Sequence, residues 1–215
     1  MNFRVILSLV IKLVKGGEFM NKKTLGGILI LIGVIIIGIT GYLKYDSFKK
    51  EKDMREKFES ALKNLENKSE NGEKEKSPEG KGDDDKVEAL GIMIIPKINM
   101  KAAIGSGTEE KVLNYYLGHF ENTAFPGENG NFSVAGHRNY VYNEFFRDVD
   151  KLENGDEILV RAEKGEFKYK VDKSFVVNPE DIHVLDKTED ATITLVTCTT
   201  DSKRRLIVKG TLVKE

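Results

Sequence analysis

A chain of 215 residues has room for one or two domains, and its net charge of −1, with 34 basic and 35 acidic residues interleaved, supports no nucleic-acid-binding surface. A single cysteine excludes an internal disulfide framework, and three histidines leave few candidates for acid–base work near neutral pH. Charge and apolar residues are unevenly spread, so the chain divides into segments.

Residues 1–23 form a short N-terminal segment. KGGEF stands directly before Met20 and is what a purine-rich ribosome-binding sequence would give if translated, so Met20 is an expected true start. A genuine short basic-apolar N-terminus and a cloning scar are the other readings.

Residues 24–43, TLGGILILIGVIIIGITGYL, carry no charge and are rich in β-branched side chains. At the helical rise this stretch reaches roughly 30 Å, the thickness of a bilayer core. A retained transmembrane helix is predicted, because the GYLKY that closes it is a poor signal-peptidase site. Lys22 and Lys23 precede it and Lys44, Lys49, Lys50 and Lys52 follow, so charge asymmetry is nearly balanced. With the N-terminal flank inside, everything from Lys44 onward is exported.

Residues 44–87 read as a charged stalk or linker. Phe48, Met54, Phe58 and Leu62 recur at helical spacing among many i,i+4 charge pairs, which predicts a stalk helix; the remainder, ending SPEGKGDDDK, is expected to be a flexible spacer. The segment as a whole reads as a solvated tether that holds the next domain off the membrane.

From residue 88 to 215 the pattern changes to short apolar runs between turn signals. GIMIIPKINMKAAI, NFSVAGH, DEILVRA, EFKYKVDKSFVV, ATITLVTC and RRLIVKGTLV each predict a strand, while EEKVLNYYLGHF and YNEFFRDVDKL predict short helices or helical turns. The expected fold is mainly β, a closed or nearly closed antiparallel-rich barrel.

The lone Cys198 ends an alternating strand where it gives way to the polar TTDSK, so its thiol is expected at a rim, where reactive groups are placed. A nucleophilic thiol needs a base and a group to hold an oxyanion. His137 also follows a strand end, in AGHRNY; His119 reads as a structural hydrogen-bonder and His183 as a loop-packing residue. A hairpin over 199–204 would return Arg205 beside the sulfur, with Arg204 as the competing candidate.

TLVTC followed by RRLIVKG, with AGHRNY upstream, resembles the sortases, membrane-anchored cysteine transpeptidases of mainly Gram-positive bacteria. The resemblance covers residues 88–215, with GIMIIPKINM as opening strands. It implies a sortase-type eight-stranded β-barrel with short helices, in which His137, Cys198 and Arg205 form the catalytic set. Arg205 is preferred to Arg204 because RLIVKG fits the family pattern from 205. It also implies cleavage of an LPXTG-like sorting signal through a thioester, and joining of the surface protein to an amine such as that of a peptidoglycan precursor. By the same resemblance Ala135, Val196 and Thr197 line the substrate groove, and the 174–186 loop forms one wall. The stretch GHRNYVYNEFFRDVDKLENGDEI is similar to the class A and class D groups rather than pilus-type class C.

No cofactor is expected, although some class A sortases bind calcium and Glu144, Asp148, Asp150 and Glu153 offer oxygens. The expected partners are surface proteins bearing a C-terminal sorting signal, a peptidoglycan precursor amine and the membrane, with no nucleic acid. The expected location is the cell membrane, single-pass, with the catalytic domain extracellular. A hydrolytic cysteine peptidase, a pilin-polymerising sortase and a non-catalytic membrane-tethered binding barrel are the alternatives.

Overall fold

The structure, a computed structural model, describes residues 22–68, 87–139 and 143–213. The expectations placed on residues 1–21 and 69–86, an alternative start and a flexible spacer, lie outside the described residues. The chain divides into two units after Tyr42. In the first, residues 22–42 are helical and outward-facing, with Leu29, Ile30, Leu31, Val34 and Ile37 exposed. A helix satisfies its backbone internally, and this one contains a stretch long and apolar enough to cross a membrane.

Helix α1 (Lys22–Lys68) continues into the second unit, where its charged half packs on the β domain. Ser47, Glu51, Met54 and Phe58 follow at steps of four, three and four, so they share one face. Phe58 is 3% exposed and packs with Ala89 and Ile92, flanked by Met54 and Ile94. Ser47 Oγ donates to Asn114 O (3.1 Å), and the Ala103 N–H donates to Glu51 Oε1 (3.3 Å). This part of the expected tether is therefore a packed element. Phe48 lies off that face and is exposed.

The β domain is a closed eight-stranded barrel in the order β1-β2-β3-β4-β7-β8-β6-β5. The strands are β1 (Ala89–Ile95), β2 (Met100–Ser106), β3 (Leu117–His119), β4 (Gly130–Ala135), β5 (Glu157–Ala162), β6 (Gly165–Val177), β7 (Ala191–Cys198) and β8 (Arg205–Leu212). Pairing is antiparallel except for β2 with β3 and β4 with β7. The run read as one opening strand is two. Pro96 lacks an N–H to continue a ladder and begins a 3-10 turn, and Asn99, at φ +50°, turns the chain back into β2. The expected helix over 109–120 shrinks to α2 (Glu110–Leu113), and the LGH that follows is β3. In the second expected helix only Val149–Lys151 makes a 3-10 turn. Alternate residues fill the interior: Phe132 and Val134 from β4, Ile193 and Leu195 from β7, Leu206 and Val208 from β8, with Tyr169 from β6.

Candidate active site

Three adjacent strands carry the residues singled out by the sequence. In β7, Leu195 is core and Val196 is not; one alternation further, Thr197 is buried and the partly exposed Cys198 returns to the outer face. On one side, β4 runs parallel with Ala135 opposite Val196, and Gly136 N–H donates to Val196 O (3.1 Å), carrying the pairing one residue past the strand. That register sets His137 beside Cys198. On the other side, β8 pairs Cys198 directly with Arg205. Directly opposed residues share a face, so His137, Cys198 and Arg205 form one row across β4, β7 and β8 at the rim.

The backbone around this row is tied down. Thr197 Oγ1 donates to Gly136 O (2.8 Å) and Phe146 N–H donates to His137 O (3.1 Å), so both flanks of the histidine are held. A Cβ on Gly136 would meet the Phe146 ring at 2.7 Å and Leu117 at 2.8 Å, which is why glycine precedes His137. In the hairpin, Thr199 N–H donates to Arg204 O (3.0 Å) and Thr199 Oγ1 accepts from Arg204 N–H (3.1 Å), returning the chain with Arg205 opposite the cysteine. Arg204, one position earlier, is exposed.

Burial lowers the pKa of His137 below the ordinary histidine value, and the negative charge of Glu110 on α2 opposes that shift. Near neutral pH the neutral imidazole is therefore the more populated form. His119 belongs to a different environment. It is buried on β3 between the rings of Phe125 and Phe132, with Nε2 near Ala124 O (3.0 Å) and Thr123 Oγ1 (3.2 Å). It is a structural hydrogen-bonder, as its sequence context suggested. His183 is exposed and pairs with Asp186 (3.1 Å).

Of the residues expected to line a groove, Ala135 and Val196 lie on the Cys198 face, directly opposed. Thr197 is turned to the other face. The wall expected over 174–186 begins later, because β6 extends to Val177; the connection to β7 is 178–190 and contains a 3-10 turn, Ile182–Leu185. Beside it a cleft of about 490 Å³ opens between Ile182 and Leu185 on one side and Thr108, Glu109, Phe120 and Thr123 on the other. The row of His137, Cys198 and Arg205 lies outside that cleft.

Each acid offered for calcium faces a cation: Glu144 meets Lys44 and Arg147, Asp148 meets Lys151, Asp150 meets Arg138, and Glu153 meets Lys97. Among the described residues, no three His, Cys, Asp or Glu side chains converge on a metal position.

Sequence reasoning missed Asn131 and Thr194, polar and buried on the outer face of β4 and β7, and missed Glu110. The alternation of Asn131, Ser133 and Ala135 against Phe132 and Val134 was the available signal for a polar outer face.

The family model for the sortase domain matches residues 93–213. A sortase D of Bacillus subtilis is 30% identical over 182 residues, 82% of this chain and 89% of that protein. A sortase A of Listeria monocytogenes is 26% identical, covering 91% of this chain and 93% of the relative. Among solved structures, a sortase D5 transpeptidase of Clostridium perfringens superposes with a TM-score of 0.59 at 36% identity, covering 80% of this chain and 99% of that one. With its eight-stranded barrel and these relatives, the chain belongs to the sortase family and is a cysteine transpeptidase.

Proposed function

We propose that Cys198 is the nucleophile, His137 the proton shuttle and Arg205 the oxyanion-stabilising group in a reaction that cleaves an LPXTG-like sorting signal and joins the released acyl group to a cell-wall amine. The observation that supports these roles is the row of the three residues across β4, β7 and β8, fixed by the register of two strand pairs.

In the first half-reaction the thiolate electron pair of Cys198 forms a C–S bond to the Thr carbonyl carbon, and the carbonyl π pair moves to oxygen. Arg205 meets that oxyanion with its planar fork of donors. Collapse breaks the C–N bond, and the leaving nitrogen takes its proton from the His137 imidazolium. In the second half-reaction an incoming amine attacks the thioester, gives its proton to neutral His137 and expels the thiolate. The depressed His137 pKa means that imidazolium is the minor form near neutrality, so turnover is expected to be slow and pH-dependent.

Ala135 and Val196 are the floor on which the sorting peptide would lie. Thr197 contributes by holding Gly136 from beneath. The substrate proteins carry a C-terminal sorting signal, the resolving amine belongs to a peptidoglycan precursor, and α1 anchors the enzyme with residues from Lys44 onward outside the cell.

The test incubates the full chain, purified in detergent micelles, with a panel of LPXTG-like peptides with and without amine nucleophiles. Products are read by mass spectrometry beside Cys198→Ala. An amine-joined product lost in the variant is expected. Product released only to water would favour the hydrolytic peptidase, and persistence of product in Cys198→Ala would refute the nucleophile assignment.

A further inference from the structure

The single turn α2 links the long helix α1 to the histidine that the chemistry uses. Its four residues cannot sustain a helix by themselves, because a first turn fixes several backbone angles in return for very few hydrogen bonds. Support comes from two other parts of the fold, and both supply it at the C-terminal end, where helical carbonyls lack partners. Ser47 of α1 is 1% exposed, and its Oγ donates to Asn114 O (3.1 Å). Asn143, also buried, donates from Nδ2 to Leu113 O (2.6 Å). In the opposite amide orientation Asn143 would aim its oxygen at that carbonyl, so the bond fixes the side chain.

Both bonds lead toward His137. Asn114 N–H donates to Glu110 O (2.9 Å), so the residue that Ser47 holds also closes the turn onto Glu110. Asn143 stands three residues before Phe146, whose N–H donates to His137 O (3.1 Å). α1 grips the same two segments a second time: Lys50 Nζ lies 4.2 Å from the centre of the Tyr115 ring, and Lys44 Nζ pairs with Glu144 (3.4 Å). The charge that opposes the effect of burial on His137 is that of Glu110. Of the other charged groups near the row, Arg138 is held by Asp150 (2.6 Å), and Arg205 stands across Cys198.

We propose that Ser47 and Asn143 are positioning residues for transpeptidation: they tie down the C-terminal end of α2 and so hold the Glu110 carboxylate where its charge acts on the His137 ring. The charged half of α1 is thereby a component of the active site. This rests on the reading of His137 as the proton shuttle. A loosened α2 leaves Cys198, Arg205 and the peptide-binding face as they were, so the loss falls on kcat rather than on KM.

The experiment compares the full chain in detergent with Ser47→Ala, Asn143→Ala and Glu110→Gln, and with each of the first two combined with Glu110→Gln. Three readouts are taken: NMR titration of the His137 ring with His183 as internal reference, kcat and KM for the sorting peptide and an amine across pH, and the melting temperature. Ser47→Ala and Asn143→Ala are each expected to move the His137 midpoint to lower pH, the direction that follows from loss of a nearby negative charge and that Glu110→Gln shares. On the alkaline side of the optimum kcat should fall by about two- to fivefold, with KM within about twofold. Added to Glu110→Gln, either alanine should move the midpoint no further, because the carboxylate through which it acts is gone.

A lower melting temperature with an unmoved His137 midpoint would show that the two bonds serve the fold alone, and the proposal fails. Additive shifts in the double variants would overturn it as well, since the path would then not run through Glu110. If Ser47→Ala loses its fold, Asn143→Ala alone and with Glu110→Gln decides by the same readings. A wild-type chain that turns over no sorting peptide defeats the proposed chemistry, while the midpoints, read without substrate, still decide whether α1 reaches His137 through Glu110.

Discussion

Two flanks of the barrel are finished in opposite ways. Over β1 and β2 a helix of mostly charged residues lies down and buries Ser47, Glu51 and Phe58, and its Glu51 accepts the Ala103 N–H at a position of β2 that lies before the pairing with β3 begins. Across β4, β7 and β8 the outer face ends in a partly exposed thiol between His137 and Arg205. The first flank is completed by a helix of the same chain; the second leaves its thiol partly exposed. The difference teaches where substitutions should cost stability and where they should cost only turnover.

The largest effect is expected on the open flank. Cys198→Ala should abolish transpeptidation without lowering the melting temperature. Arg205→Lys keeps the charge but loses the planar fork, and should lower kcat/KM by about 10²–10³-fold. Arg204→Lys, one residue off the row, should stay within about twofold. Equal losses for the two arginines, measured with one peptide and one amine, would erase the argument from strand alternation.

Next comes the covered flank. Phe58→Ala should destabilise the second unit by about 3 kcal/mol, a drop in melting temperature on the order of 10 °C. A chain beginning at residue 88 should show at least that loss, and one beginning at Leu43 should not. Thermal melts of the two truncations, with Cys198 alkylation in native buffer as a control on the rim, decide whether the charged helix is a working part of the domain.

A smaller effect joins electrostatics to chemistry. Glu110 opposes the lowering of the His137 pKa by burial, so Glu110→Gln should move the His137 titration to still lower pH. Imidazolium would then be lost earlier as pH rises, and the acid limb of the rate profile should move down with it. NMR titration of the His137 ring beside the pH–rate profile reads both.

On the covered flank, burial raises the Glu51 pKa above the ordinary carboxylate value, with Arg55 and the Ala103 N–H as opposing influences. A raised carboxylate pKa means that the folded state prefers the protonated form. Its stabilising contribution is full below the unfolded value and is lost as pH rises through the folded one. Glu51→Gln should flatten that dependence and slightly raise stability near neutrality, seen in melts at several pH values. The smallest expected effect is that of a chelator. The acids after His137 already meet lysines and arginines, so EDTA should leave turnover unchanged.

Much of the open flank was legible in the residues. The break from alternation to TTDSK marked Cys198 as a rim position, and the six residues 199–204, enough for a hairpin, separate it from Arg205. Thr197 was harder, because adjacency to Cys198 in the chain says nothing about face. Only the alternation, counted inward from the core residue Leu195, turns it away. β3 was hidden because LGH is too short to display a period and follows a true helical turn. The covered flank was misjudged for a different reason: a helix with two apolar residues on its docking face looks solvated until the surface that receives them is known.

By itself, the amino-acid sequence determined what is local: an apolar run of bilayer length, the positions of most strands, and the placing of His137, Cys198 and Arg205 at strand ends. These follow from side-chain type and from periods of two and 3.6, which operate over a few residues. Tertiary structure decided what depends on distant partners. The parallel register that sets His137 beside Cys198 joins residues 61 apart, Ala135 and Val196; the hydrogen bond from Asn131 to Val184 spans 53, and the bond from Glu51 to Ala103 spans 52. No local preference encodes such pairings, because their free energy exists only once the barrel has closed and water has left the surfaces between them.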